Sequence, residues 1–482
     1  MRRAVALIAL LATGCATMEP AYVRPDPAVP PSWPVGDAYL VQSEVGLPAV
    51  TYQQVFQDPR LQTLIAQGLA NNRDLMVAAS NIAAAREQYR IQRANQLPTL
   101  DANAGVTASG DKADSVSAQY QAGVSVPNFE LDLFGRLRSL TKVQFERYLA
   151  TETGARATRL TLVSDIASAW LNHAADQSLL LIARQTEASA EKSVRLTRIR
   201  LEGGVAPRTD LRQAEQIEAQ AQADLAQQRT AIAQDVNALQ LLVGAPIDPR
   251  LLAGSIDEAF GTITPVPAGL DSYVLLRRPD VVQAEFQLRA ANAQIGAARA
   301  ALFPRITLTG LLGFASTALT SLFTSVGWSV GADAAYTIFQ SGAGHANLRL
   351  SKAQRDAAIA TYQKAIQTAF REVADALARR GTINDEIAAR QRQQIATADT
   401  YTLTEARYRA GIDPFLTVLD AQRSYYSSQQ LLVLTKLTAA QNIVDLYQAI
   451  GGDTLLQTAP VCQSLPGETA SGSAPTAPQC SP

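Results

Sequence analysis

The sequence predicts an α+β membrane protein, a tandem repeat of long α-helical hairpins with four β-strands per chain. Three observations lead there. The chain writes one helix–turn–helix pattern twice, Leu196, Arg200, Gly204, Pro207 and Ala214 recurring as Leu403, Arg407, Gly411, Pro414 and Ala421 at an offset of 207. Two stretches, about 135–202 and 344–409, lack proline and run far beyond what a compact domain uses. Each half also carries two short alternating segments of strand character.

The bulk numbers narrow the class. The 482 residues exceed one compact core, so two units or an elongated shape are expected. The net charge of −1 gives no basis for a nucleic-acid partner. Aromatics are 6% against a hydrophobic fraction of 47%, much of it alanine, which favours long, closely packed helices. Beyond the N-terminus no run of 18 apolar residues occurs, so no transmembrane helix is expected.

Residues 1–14 read as a signal peptide: basic Arg2 and Arg3, an apolar run from Ala4 to Ala12, then LATGC. The last residue, Cys15, is the expected site of diacylation, which would anchor the mature end in membrane lipid. The lipobox is imperfect, with Ala12 where Leu, Val or Ile is usual, and a plain cleaved signal is the alternative. Ala16 rather than Asp follows the cysteine, which in bacterial lipoproteins looks like routing to the outer membrane. Cys462 and Cys480 lie in the C-terminal tail, either joined in a disulfide or as two free thiols.

Residues 15–57 hold Pro20, Pro25, Pro27, Pro30, Pro31 and Pro34 and read as an extended arm without helix. Repeat 1 spans 58–243. Its helix starts at the Asp58-Pro59 cap, keeps Leu61, Leu64, Ile65 and Leu69 at helical spacing, and runs to about Gln96 before Pro98. Strands are expected at about 99–109 and 118–127, each near the roughly 9–11 residues of a tilted membrane strand. The long helix that follows, about 100 Å at 1.5 Å per residue, fits a coiled coil or a tube wall. Its stripe includes Leu160, Val163, Ile166, Trp170, Leu179 and Ile182.

A Pro- and Gly-bearing connector covers 244–272, and repeat 2 covers 273–451 with strands at about 305–314 and 326–336. Asp74, Pro98 and Gly244 return as Asp280, Pro304 and Gly451, so one tandem duplication spans the chain. Residues 452–482 form a Pro/Ser/Thr/Gly tail expected to be disordered.

In the second turn Gly411 suits a positive φ after a helix end, Asp413 suits a cap, and Pro414 the first turn of the next helix. Four strands cannot close a lipid-embedded barrel, because open edges in hydrocarbon strand backbone groups at several kcal/mol each. Two copies supply eight strands, whose interior side chains fill. Three supply twelve, which leave room for water. A conduit therefore favours a homotrimer.

Eight segments together carry a family resemblance: PAYVRP after Cys15, FQDPRLQTLIAQGLANNRDL, ELDLFGRLR, EGGVAPRTDLRQAE, LLRRPDVVQAE, AANAQIGAARAALFP, AFREVADALA and YRAGIDPFLTVLDAQR. From Cys15 to about Gly452 the chain resembles outer-membrane efflux proteins of the TolC type, in particular the lipid-anchored OprM/NodT-like subgroup that serves RND pumps. The resemblance implies a trimeric 12-stranded β-barrel continued by an α-helical periplasmic barrel. It implies a periplasmic adaptor and an inner-membrane RND pump as partners, with drugs or other small toxic compounds as cargo. A type I protein-secretion duct and a coiled-coil lipoprotein that never spans a membrane are the alternatives.

Leu416 and Asp420, four apart, share a helix face, and Arg423 follows one turn on. In a trimer they make rings of leucine, which can block water, and of aspartate, which repels anions. The resemblance gives the matching residues the closed tip; the plain alternative is an ordinary surface i, i+3 pair. Repeat 1 has Thr209, Gln213 and Gln216 at matching positions, so one hairpin alone carries the gate chemistry. In the family the adaptor meets the turns, here Gly203, Gly204 and Val205 in repeat 1 and Gly411 and Ile412 in repeat 2; turn geometry also calls for the glycines.

An enzyme is not expected. His173 and His345 lack partners at metal-ligand spacing. The Gly342-Ala-Gly344 segment has Asn347 where a dinucleotide loop needs its third glycine. Ser139-Leu-Thr-Lys142 and Ser189-Ala-Glu-Lys192 lack the companion motifs of Ser-x-x-Lys catalysis. No cofactor and no metal is expected.

Overall fold

The computed structural model describes residues 17–30, 32–34, 36, 38–39, 50–110, 116–265 and 272–452. Cys15, the signal peptide, and the tail with Cys462 and Cys480 lie outside the described residues. Helices are α1 (Tyr52–Val55), α2 (Pro59–Asn71), α3 (Arg73–Ala94), α4 (Arg136–Glu202), α5 (Arg208–Val243), α6 (Ile256–Phe260), α7 (Pro279–Ala300), α8 (Ala343–Arg409) and α9 (Phe415–Ala449). Strands are β1 (Asp101–Gly110), β2 (Val116–Glu130), β3 (Arg305–Ser316) and β4 (Val326–Ala335). α4 and α8 each have 67 residues, about 100 Å of helix. Each folds back on a shorter partner, α4 on α5 and α8 on α9.

The four strands make one antiparallel sheet in the order β1-β2-β3-β4. Opposed residues share a face, and the two faces differ in chemistry. One row reads Ala102, Val124, Leu312, Trp328, and its neighbour Ala104, Ala122, Phe314, Val326. The other face reads Asp101, Ser125, Leu311, Ser329 and then Asn103, Gly123, Gly313, Gly327. An apolar face for lipid and a polar, small face for a lumen is the pattern of a membrane barrel wall. β1 and β4 each have one unpaired edge, and all ten residues of β1 are exposed. The sheet is thus a third of a trimeric 12-stranded barrel that the helices continue as a tube. No helix among the described residues is long and apolar enough to cross a membrane.

The main core lies where the helices, the connector and the start of each repeat meet. Trp170, Ile166, Phe56, Leu64, Leu275 and Tyr447 are buried there. Trp170 donates its indole N–H to the Leu251 carbonyl at 2.9 Å, so the one polar atom of this large ring is satisfied. Arg278 is buried too. It donates to the Ala449 carbonyl and to the carboxylates of Asp280 and Glu372, each at 2.8 Å, and so ties the start of α7 to α8 and to the end of α9.

Three local expectations need correction. The arm is not wholly without helix, because Thr51 and Gln54 form a capping box that closes the short α1. The helix expected from 58 to 96 breaks at Asn72, whose φ −61 and ψ 133 are not helical. Its Oδ1 caps α3 through the Asp74 and Leu75 amides, while its Nδ2 donates to the Leu242 carbonyl at 2.8 Å. Finally, Asp413 does not cap α9. Pro414 takes the cap position without a side-chain bond, and Asp413 instead accepts from Arg407 at 2.6 and 2.9 Å.

The described arm is docked rather than free. Glu285, buried on α7, receives Arg24 at 2.5 Å and Arg289 at 2.6 Å, and Arg24 also donates to the Tyr362 hydroxyl at 3.0 Å. Further along, Trp33 stacks on Phe370 with ring centroids 4.8 Å apart.

Candidate functional site: the helical tips

The end of the molecule remote from the sheet is made by the α4–α5 and α8–α9 turns. Both use one backbone device. Gly204 and Gly411 take φ +71 and +77. The amides of Val205 and Ile412 then reach back to the carbonyls of Arg200 and Arg407, each at 2.9 Å. This six-to-one closure satisfies a carbonyl that the helix end leaves free, and glycine is the residue that adopts it without strain. The closure turns two apolar side chains outward: Val205 is 72% and Ile412 62% exposed.

The tips are tied together beneath these turns. The Arg200 guanidinium lies 4.5 Å over the Tyr408 ring and donates to the Tyr408 carbonyl at 3.2 Å. Tyr408 in turn packs against Phe415, and both belong to a small apolar cluster with Val194, Ala214, Val418 and Leu419. At the tip Asp413 lies below the usual carboxylate range because Arg407 hydrogen-bonds it.

One turn further up, α5 and α9 enclose a cleft of about 340 Å³. Leu416, Asp420 and Arg423 all line it from α9, facing Gln213, Gln216 and Gln220 of α5. The sequence-matched glutamines of repeat 1 therefore stand opposite the gate candidates of repeat 2. Leu416, Asp420 and Arg423 are exposed, and no ion pair joins Asp420 to Arg423 within one chain. Asp420 also borders a second hollow, lined by Thr400, Thr404, Thr417 and Ser424. Between the gate candidates, Gln422 is buried with neither side-chain polar atom bonded.

Sequence reasoning missed the bond that spans this cleft. Tyr426 on α9 donates to Asp224 on α5 at 2.8 Å, and Gln220 donates to the same carboxylate at 2.9 Å. Burial, then the Asp224 carboxylate, push the Tyr426 phenol well above its ordinary range, so it remains a donor. Tyr426 lies three residues beyond Arg423, on the cleft-facing side of α9 that Leu416 and Asp420 mark out. Its partner could not be read, because nothing local pairs positions 224 and 426.

Among the described residues no group of three His, Cys, Asp or Glu side chains converges as a metal site. His173 is buried beside Gln177 at 3.4 Å, and burial lowers its basicity.

Comparison with known proteins gives a consistent result. The outer membrane efflux protein family matches residues 64–245 and again 271–452, one match for each repeat. The chain is 41% identical over 93% of its length to the solvent efflux pump outer membrane protein SrpC of Pseudomonas putida, covering 98% of that protein. It is 37% identical to the outer membrane protein OprJ of Pseudomonas aeruginosa, over 93% of this chain and 95% of the other. Its fold is similar to the open-state outer membrane channel MtrE of Neisseria gonorrhoeae, with a TM-score of 0.82 and 36% identity, over 91% of this chain and 99% of that one.

Proposed function

The chain belongs to the outer membrane efflux protein family, and from that premise we propose that it is the outer-membrane duct of a tripartite RND-type efflux system. The observation that carries this reading is the open-edged, two-faced sheet set on two helical hairpins about 100 Å long. Only such a body joins a lipid-embedded wall to a passage that spans an aqueous compartment. Three copies close the wall and share one lumen.

The cargo is drugs or other small toxic compounds. The chain's likeness to a protein named for solvent efflux supports apolar solutes among them. An inner-membrane RND pump loads the duct, and a periplasmic adaptor joins the two. The turns at Gly203, Gly204 and Val205 and at Gly411 and Ile412 are the adaptor's docking points. Their outward Val205 and Ile412 supply exposed apolar area that the duct alone leaves in water. Cys15 carries lipid that holds the mature N-terminus in the outer membrane.

At rest the tip is closed by Leu416, Asp420 and Arg423. Their exposure and their place on one cleft support a ring arrangement, since each side chain is left for a neighbouring copy to meet. Three leucines exclude water, and three carboxylates repel anions.

Deleting the gene tests the reading. The expected result is increased sensitivity to several chemically unrelated drugs and to organic solvents, restored by the full-length chain. The purified trimer should also conduct ions in a planar bilayer. A deletion strain with unchanged sensitivity to all of them, together with a protein that never conducts, overturns the proposal.

A further inference from the structure

The cleft at the tip is built in a way that closure alone does not require. It lies between α5 and α9 and runs from Leu416 to Tyr426 along α9, about 15 Å at 1.5 Å per residue. Its volume of about 340 Å³ falls in the range of roughly 300–1,000 Å³ that small-molecule pockets occupy. The bond from Tyr426 to Asp224 sets the spacing of the two helices at one end.

The lining sorts by chemistry. Leu419 on α9, 4% exposed, and Ala221 on α5, 2% exposed, give buried apolar surface from each helix, and Ile217 adds to it. Asp420 and Arg423 are exposed on the same cleft and opposite in charge, so the lining carries no net charge. Gln422 is the exception. It borders the cleft and is 4% exposed, yet neither its Oε1 nor its Nε2 has a hydrogen-bond partner among the described residues. Every other buried side chain from Phe415 to Gln422 is apolar. An unpaired amide in such a row costs stability that a leucine would not. A ligand that brings the missing donor and acceptor accounts for it.

We propose that the α5–α9 cleft binds a small, neutral aromatic molecule carrying a carboxamide. Its amide pairs with that of Gln422, which offers both a donor and an acceptor. Its ring lies on Leu419, Ile217 and Ala221. Neutrality follows from the lining, because a cation is attracted by Asp420 and repelled by Arg423, and an anion the reverse. The molecule touches both helices, so it binds while they keep this spacing and holds the tip in its closed arrangement. The binding stands on the cleft alone, and the effect on opening rests on the reading of the tip as the gate.

The test uses the full-length trimer in detergent and one probe, a benzamide with a trifluoromethyl-diazirine opposite the amide. After irradiation the label is mapped by peptide mass spectrometry. It should concentrate on α5 around Ala221 and on α9 around Leu419, and excess benzamide should displace it. The same aryl diazirine without its amide should label those stretches about tenfold less, and so should the amide probe on Gln422→Leu. Gln216→Trp, which plants a ring in the cleft from its rim, should also lose the label. In thermal unfolding Gln422→Leu should melt higher than the natural protein. Label scattered over the lipid-facing sheet with no preference for the tip, or equal labelling of the natural protein and both variants, overturns the site. Label confined to dissociated monomers means that a neighbouring copy fills the cleft, and overturns it as well. In planar bilayers benzamide should lower the open probability several-fold. Labelling of the cleft with unchanged open probability upholds the site and overturns its link to the gate, so the two readings fail separately.

Discussion

Tyr426 and Asp224 face each other across the tip cleft, joined by a hydrogen bond of 2.8 Å from the phenol to the carboxylate. They belong to different repeats, so the bond ties α5 of one hairpin to α9 of the other. A hydrogen bond to a charged acceptor contributes about 1.5–3 kcal/mol, and 1.4 kcal/mol is about tenfold in an equilibrium. If the tip opens by an iris-like shift of α8 and α9, this bond must break. Tyr426→Phe is therefore expected to lower the closed-to-open ratio in bilayer recordings about tenfold, with normal trimer yield. Equal open probability in the variant and the natural protein would remove the bond from the gate.

Charge reversal at Arg423 addresses the ring itself. Arg423 is exposed and borders the same cleft as Asp420 without pairing to it in its own chain. In the closed ring proposed for the tip its carboxylate partner comes from a neighbour, and Arg423→Glu would add three negative charges beside three others. Passive uptake of a large antibiotic that normally cannot cross the outer membrane should rise several-fold. Unchanged uptake at a normal protein level would count against a role for Arg423 in closure.

The sheet makes a prediction about shape. Gly123 and Gly313 oppose each other where β2 meets β3. A Cβ on Gly123 would lie 2.7 Å from the Leu312 carbonyl oxygen, and one on Gly313 2.6 Å from that of Ala122. Neighbouring backbones crowd the lumen-facing side there, so β2 and β3 approach at the join between the repeats more closely than a side chain at either position allows. Nothing comparable crowds Gly310, which has open space around it. Gly313→Ala is expected to lower the yield of trimer measured by native mass in detergent, while Gly310→Ala leaves it unchanged. Equal trimer yield from both would show that this close approach is dispensable. Glycine at such a corner is a packing requirement rather than a loss of propensity.

Much of this architecture is legible from the sequence, for a physical reason. A 67-residue helix without proline, a Gly-centred turn and a period-2 strand are local patterns, and the duplication writes each of them twice. What the sequence hides depends on tertiary contact. The break at Asn72 arises because its amide bonds to Leu242, far along the chain, so the periodicity on either side gives no warning. Asp413 looked like a cap because its position suits one, but the Arg407 guanidinium six residues earlier competes for the carboxylate and wins. Leu416, Asp420 and Arg423 can be placed on one face by spacing alone, whereas Tyr426, on the same face, gains its meaning only from Asp224.

Asp176 on α4 and Asp235 on α5 supply the pH dependence. Burial raises Asp235 first, the Asp176 charge second, and its pKa is pushed up to about 7. Asp176 is also raised by burial, and the two carboxyls influence each other. No cation contributes to either shift, so the pair is stable with one shared proton and repulsive without it. The sign follows from linkage. The folded value lies above the ordinary 3.8 of an aspartate, so between these two pH values the folded chain binds the proton more than the unfolded one does. The stabilisation is fully present below about pH 4 and is lost as pH rises through about 7. Asp235→Asn keeps a donor towards Asp176 and cannot ionise. Thermal unfolding of the variant and the natural protein should differ least near pH 4 and diverge steadily up to about pH 7, with the variant melting higher. Parallel melting curves across that range would mean that no proton is held between the two helices.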